Sequence, residues 1–255
     1  MAKKKTTASP WSVGDLVKSI EQFCRRSGLR QDEALRYLLN AMTDWFTYKV
    51  HVRRSDYQKY DKELRGLMLT FFQVMRSELE QKEWVDLFGD YFMEVAANIK
   101  GFGQCFTPNS LCELLSRMCF IGMDVKNSAK QLVGGFGWKV PIYDCAAGSS
   151  RLLLAAGTQY RQDTGRNDCY LCAADIDEKC VKMSAINMLM HGFYGEVVCQ
   201  DTLMGEAGFR WGYIVNSGLY PFHFGLPSLE FSTDRNDFYQ LTHKGNIKIS
   251  ADEKD

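Results

Sequence analysis

The sequence predicts an α/β domain over residues 101–255, preceded by an all-helical domain over residues 1–100. Three observations carry this. Apolar residues recur at three- and four-residue intervals through the first hundred positions, without two-residue alternation. A glycine-containing break, Gly101-Phe-Gly103, interrupts the pattern. Beyond about residue 138, short apolar runs ending near an acid alternate with helical stretches, which is the signature of a parallel sheet wrapped by helices.

The helical stripes come in order. Trp11, Leu16, Ile20, Phe23 and Cys24 form the first, and Gly28 stops it. Leu35, Leu38, Leu39, Met42 and Phe46 form the second. Leu64, Leu67, Met68, Phe71, Phe72 and Met75 form the third, and Trp84 to Ile99 the fourth. A packed core explains these aromatic and aliphatic stripes without any ligand. After the break, Thr107 is suited to a helix N-cap and Pro108 to the first helical position, with Leu111, Leu114, Leu115 and Met118 as the apolar stripe.

In the α/β part, Lys139 to Tyr143 reads as a strand ending at Asp144. The helix from Arg151 follows a loop of small residues. Cys169 to Ala174 is a second strand, ending at Asp175, with a helix from Glu178 to His191. Glu196 to Cys199 is a third strand, ending near Asp201, and Tyr213 to Val215 a fourth. Ligands of open parallel sheets sit at the carboxyl ends of the strands, so Asp144, Asp175 and Asp201 are expected to share one edge. The loop Cys-Ala-Ala-Gly-Ser-Ser after Asp144 lets a ligand approach the backbone. It has neither the Gly-x-Gly-x-x-Gly nor the Gly-Lys-Ser/Thr pattern of phosphate loops. Asp177 reads as a helix N-cap rather than a ligand-binding acid.

Composition narrows the function. Lys+Arg and Asp+Glu both number 31, so the formal net charge is zero and binding of nucleic acid by bulk charge is disfavoured. Nine cysteines at irregular spacing do not form a disulfide framework. The Cys169-x-x-Cys172 pair lies in a strand, where residues three apart face opposite ways, so no metal site is expected. The start is basic and polar with no apolar segment after it, and a cytoplasmic protein is expected.

Four segments in order resemble the adenine amino-methyltransferases of type I restriction-modification systems. The family's Gly-Gln-Phe-Tyr/Phe-Thr-Pro is matched by Gly103-Gln-Cys-Phe-Thr-Pro108. Its Asp-Pro-Ala-Cys-Gly-Ser-Gly is matched by Asp144-Cys-Ala-Ala-Gly-Ser-Ser150, which lacks the Pro and the last Gly. Its Asn-Met-Leu-Leu-His-Gly is matched by Asn187-Met-Leu-Met-His-Gly192, and its Gly-Asp-Thr-Leu by Gln200-Asp-Thr-Leu203. The resemblance covers roughly residues 101–220. It implies a Rossmann-like S-adenosylmethionine-dependent methyltransferase fold. The cofactor would lie among Phe106, Thr107, Asp144, Ala146, Gly148, Ser149, Asp175, Ile176, Asp201 and Thr202. Thr107, Asp144 and Gly148 would lie at its methionine end, Asp175 on the ribose hydroxyls and Asp201 on the adenine amino group. The implied reaction is methyl transfer to the exocyclic amino group of adenine in DNA. The implied partners are DNA, reached through a partner or a recognition domain, and a specificity subunit or a second copy of the chain, with no membrane.

The family's catalytic segment, Asn-Pro-Pro-Phe/Tyr, follows the fourth strand. Here that place holds Asn216-Ser-Gly-Leu-Tyr-Pro-Phe222. In one register Asn216 leads; in the other Ser217 leads and Tyr220 supplies the aromatic ring. Both prolines are absent in either register, and their rigidity with them. The forty residues after Val215 supply one hairpin at most, around Asp237 to Tyr239 and Asn246 to Ser250, so a shortened sheet is expected. A catalytically impaired relative, binding the cofactor as a regulatory or assembly module, is the alternative reading.

Overall fold

The computed structural model describes residues 11–47, 56–96, 106–121, 140–216 and 227–238. The helical stripes fold as α1 (Val13–Ser27), α2 (Gln31–Phe46), α3 (Asp61–Leu79) and α4 (Leu87–Ala96). Their apolar residues, among them Leu16, Ile20, Leu38, Met42, Phe71 and Phe88, form one buried core. The ends obey local chemistry. The Ser12 N–H donates to the Asp15 carboxylate at 2.9 Å, and α1 stops at Gly28, whose φ of 71° is left-handed.

Helix α5 (Asn109–Phe120) begins one residue later than expected, with Pro108 at the cap position. It also buries a different face. Leu111, Leu114 and Met118 are exposed, whereas Cys112 and Ser116 are buried. Those two small side chains permit α5 to lie close against α6 (Arg151–Thr164), where leucines would hold it off.

The sheet contains β1 (Val140–Asp144), β2 (Cys169–Asp175), β3 (Tyr194–Gln200), β4 (Phe209–Val215) and β5 (Leu229–Ser232), in spatial order β1-β2-β3-β4-β5. Strands β1, β2 and β3 are parallel, linked by α6 and by α7 (Glu178–Met190). One face, including Leu171, Ala173, Val197 and Tyr213, packs on those two helices. The other carries a small cluster of Ala174 and Val198 under Phe238.

Helix α7 is buried on both sides. Cys180, Met183 and Ile186 complete the core of the N-terminal helices, while Val181, Ala185, Met188 and Leu189 belong to the sheet core. Beyond α2, Thr47 forms an isolated bridge with Leu229 of β5. The helical layer and the α/β layer are therefore fastened together at several points.

The fourth strand departs from the pattern that the resemblance implies. β4 runs antiparallel to β3. Only residues 201–208 separate the two, folded as tight 3-10 turns, and a parallel crossover needs roughly a dozen residues or more. β5, which the sequence reading does not include, pairs antiparallel with β4, so β4 is not an edge. Of the expected hairpin, Asp237 lies in a 3-10 turn, Phe238 follows it, and residues 239–255 lie outside the described residues. No described helix is long and apolar enough to cross a membrane.

Candidate functional site

The loop after β1 is held in place by its own backbone. The Asp144 carboxylate accepts the Ala146 N–H at 3.0 Å. The Ala147 N–H donates to the Ala174 carbonyl at 2.9 Å and the Gly148 N–H to the Asp175 carboxylate at 2.8 Å, which ties the loop to the end of β2. Gly148 has φ of 56°, and a Cβ there would stand 3.2 Å from the Phe106 ring, so both conformation and space call for glycine. Ser150 replaces the family's second glycine, yet it adopts the same kind of backbone, with φ of 66°. Its buried hydroxyl is hydrogen-bonded to the Ser184 hydroxyl of α7.

The three expected acids do gather at the carboxyl edge of the parallel strands. Asp175 also accepts the Asp177 N–H at 2.9 Å. A carboxylate offers about four acceptor positions, so Asp175 keeps capacity for further donors. Asp201 accepts the Leu203 N–H at 3.1 Å, and the Thr202 hydroxyl donates to the Cys145 carbonyl at 3.2 Å, which joins the turn after β3 to the first loop. Burial pushes the Asp144 carboxyl above its usual value, against the Ala146 hydrogen bond, and the nearby Asp175 charge adds to the rise. Apolar side chains stand open beside the acids: Ile176 is 59% exposed, Leu203 97% and Met204 62%. Asp177 caps α7 by accepting the Lys179 N–H at 2.8 Å. This edge suits a ligand with hydroxyl and amino donors, a positive charge and an apolar ring, and it repels phosphates. Among the described residues, no cluster of His, Cys, Asp and Glu could hold a metal ion.

The sequence reading misses a buried polar network behind the loop. Asp86, fully buried, accepts the Ser149 hydroxyl at 2.5 Å, Arg151 Nε at 2.9 Å, the Gly89 N–H at 2.8 Å and Asn187 Nδ2 at 2.8 Å. Arg151 reaches on to Asp90 at 2.7 Å and to the Thr107 carbonyl at 3.2 Å. Asn187 Nδ2 also donates to the Ser149 carbonyl at 2.8 Å. One turn further along the same helix, His191 Nε2 accepts the Val85 N–H at 3.0 Å and Nδ1 donates to the Asn187 carbonyl at 2.7 Å, which defines a neutral ring. The Asn187 and His191 of the family-like segment thus fasten the chain around residues 85–90 to the loop. A signal was available: two acids four residues apart inside an apolar stripe, and one arginine opening the apolar run Leu152 to Ala156.

Asn216 is not brought to this edge. Because β4 is antiparallel, its first residues, not its last, lie beside the acids: Asp175 aligns with Cys199, and Cys199 with Trp211. Asn216 is five residues beyond Trp211, about 17 Å along the strand from the Asp175 row. Its side chain is engaged locally. Nδ2 donates to the Phe193 carbonyl at 2.8 Å and Oδ1 accepts the Ser228 N–H at 3.2 Å, with φ of 53°. The structure thus does not bring Asn216, expected as a catalytic residue, together with the three acids. Ser217 and Tyr220, named with it, lie outside the described residues.

A family model described as N-6 DNA Methylase matches residues 83–211, half of the chain. It begins at Glu83 and so includes the segment carrying Asp86 and Asp90. A search of curated proteins finds no match. Among solved structures, the chain is similar to a protein from Listeria monocytogenes described as a class I S-adenosylmethionine-dependent methyltransferase. The identity is 12%, the TM-score 0.42, and 72% of this chain and 52% of that one are covered. It is also similar to the type I restriction-modification system methyltransferase subunit from Streptococcus thermophilus, at 18% identity and a TM-score of 0.32, covering 71% of this chain and 50% of that one. The chain thus spans about half the length of these structures.

Proposed function

Since the chain belongs to the N-6 DNA methylase family, we infer that it binds S-adenosylmethionine at the loop from Asp144 to Arg151 and contributes the cofactor half of an adenine amino-methylation. The observation that carries this is that Asp175 and Thr202, the neighbour of Asp201, hydrogen-bond to the glycine loop after Asp144, which sets the three acids along one sheet edge. Bound there, S-adenosylmethionine would supply an electrophilic methyl group. The residues present fit it. The remaining acceptor capacity of Asp175 suits ribose hydroxyls, and Asp201 suits an adenine amino group. Ile176, beside Asp175, offers an apolar surface to the ring, and Thr202 holds the two loops together. Asp144, Ala146 and Gly148, with Phe106 and Thr107 across from them, line the methionine end, and Ser149 holds the loop from behind. A cationic ligand without phosphates suits this acidic edge.

Asn216, held at the far end of β4 by Phe193 and Ser228, takes no part in binding a target base. The reading is therefore of a cofactor-binding module, in the cytoplasm, that meets DNA through a partner such as a specificity subunit or a second copy. Methyl transfer to adenine in DNA by the chain itself is the second reading, and family membership favours it.

Calorimetric titration with S-adenosylmethionine tests the first claim. Saturable binding is expected, weakened by Asp175→Ala in a protein that still melts cooperatively. A folded wild-type protein that binds nothing would refute it. Transfer of a tritiated methyl group to adenine-containing DNA, by the chain alone, would favour the second reading over the first.

A further inference from the structure

We propose that Asp86, a residue of the helical layer, is the positioning residue for the cofactor loop. Its carboxylate is fully buried and receives four donors from three places in the chain: Gly89, Ser149 with Arg151, and Asn187. That number fills the acceptor positions of a carboxylate. Two of the donors, Ser149 and Arg151, end the loop itself. Asn187 grips the same stretch from the other side through the Ser149 carbonyl. Arg151 extends the grip to the Thr107 carbonyl, so Asp86 sets the loop and the Phe106–Thr107 segment relative to each other through one guanidinium.

The packing around the carboxylate leaves no slack. A Cβ at Gly89 would overlap the Asp86 carboxylate and crowd the Arg151 guanidinium, so α4 approaches closely only because residue 89 has no side chain. Arg151 is 5% exposed, and its partners Asp86 and Asp90 both come from the segment before and within α4. A shift of that segment therefore moves the loop with it. Loop residues fixed before a ligand arrives lose less freedom on binding, which is how a residue that touches no ligand raises affinity.

The affinity part of this proposal rests on the cofactor reading above; the loop part does not. Hydrogen–deuterium exchange of the unliganded protein therefore comes first. In Asp86→Asn, which keeps the shape and removes the charge, the peptide spanning residues 144–152 is expected to exchange at least roughly tenfold faster than in wild type, with β3 unchanged. The S-adenosylmethionine Kd is expected to rise by a similar factor. Leu64→Ala, a core change in the first turn of α3, two turns away from the Phe71 ring that packs on α4 and matched for loss of melting temperature, should leave the loop exchange and the Kd as they are. Ser149→Ala removes one donor from the same carboxylate and should show a smaller rise in loop exchange, and it serves where Asp86→Asn does not fold. Loop exchange at the wild-type rate in folded Asp86→Asn or Ser149→Ala, or an equal rise in Leu64→Ala, would overturn the proposal. Wild-type protein that binds no cofactor, with faster loop exchange in Asp86→Asn, would overturn only the cofactor reading.

Discussion

Replacing Asn216 separates a structural role from a catalytic one. Asn216→Ala deletes a donor to the Phe193 carbonyl and an acceptor for the Ser228 N–H, at 2.8 and 3.2 Å. Each such bond is worth about 1 kcal/mol net. Alanine must also hold a φ of 53°, which asparagine tolerates better, at a further cost of about 1 kcal/mol. The sum is about 2–3 kcal/mol. For a chain of this size that corresponds to a melting temperature lower by roughly 5–10 °C. Asn216→Gly accepts the backbone angle and loses only the hydrogen bonds, so it should lie about 1 kcal/mol above alanine. The proposed cofactor site is about 17 Å along the strand from this position, so the S-adenosylmethionine Kd of both variants should equal that of wild type. Thermal melts and calorimetric titrations decide the matter. An Asn216→Ala protein that melts like wild type but loses cofactor binding or methyl transfer would refute the placement of this residue and the sheet topology behind it.

Three other outcomes follow from the site. Gly148→Ala puts a Cβ 3.2 Å from the Phe106 ring at a left-handed φ; it should destabilise the protein by about 1–2 kcal/mol and weaken cofactor binding, and an unchanged titration would argue against the loop as the site. Ser150→Gly and Ser150→Ala both lose the Ser184 hydroxyl contact, but only alanine keeps the strained backbone. Urea unfolding should rank glycine above alanine by about 1 kcal/mol. Burial lowers the pKa of His191 below its ordinary 6.5. The unfolded chain then takes up a proton before the folded one does, so this stabilisation is complete above about pH 6.5 and is lost as pH falls toward the folded value. His191→Gln should flatten the dependence of melting temperature on pH across that mildly acidic range, and an unchanged slope would assign the acid sensitivity to other groups.

The repeating units of the α/β part are legible because their signals are local. A short apolar run, an acid, a small-residue loop and a helix each occupy adjacent positions, and β1, β2 and α7 fall within a residue or two of where the pattern puts them. The direction of β4 is a different matter. Tyr213 to Val215 reads alike in either orientation, and the motif resemblance favours the parallel one. The decisive signal is the shortness of residues 201–208, a property of the connection rather than of the strand. The Asp86 network is hidden for another reason. Asp86 and Arg151 each stand out as a charge in an apolar run, but they lie 65 positions apart. Only packing decides that these two meet. The stripe of α5 misleads because its small residues, not its leucines, face the neighbouring helix.

The two-sided burial of α7 decides where this chain can be divided. The sequence invites a cut at the glycines near residue 101, which would release the α/β part as a fragment. Such a fragment would turn Cys180, Met183 and Ile186 outward to water along one whole side of its central helix. It would also strand the Arg151 guanidinium without either aspartate. The helices before the break are thus not a detachable adaptor but the outer wall of the α/β part, and grafting the methylase fold onto another protein would require carrying them along.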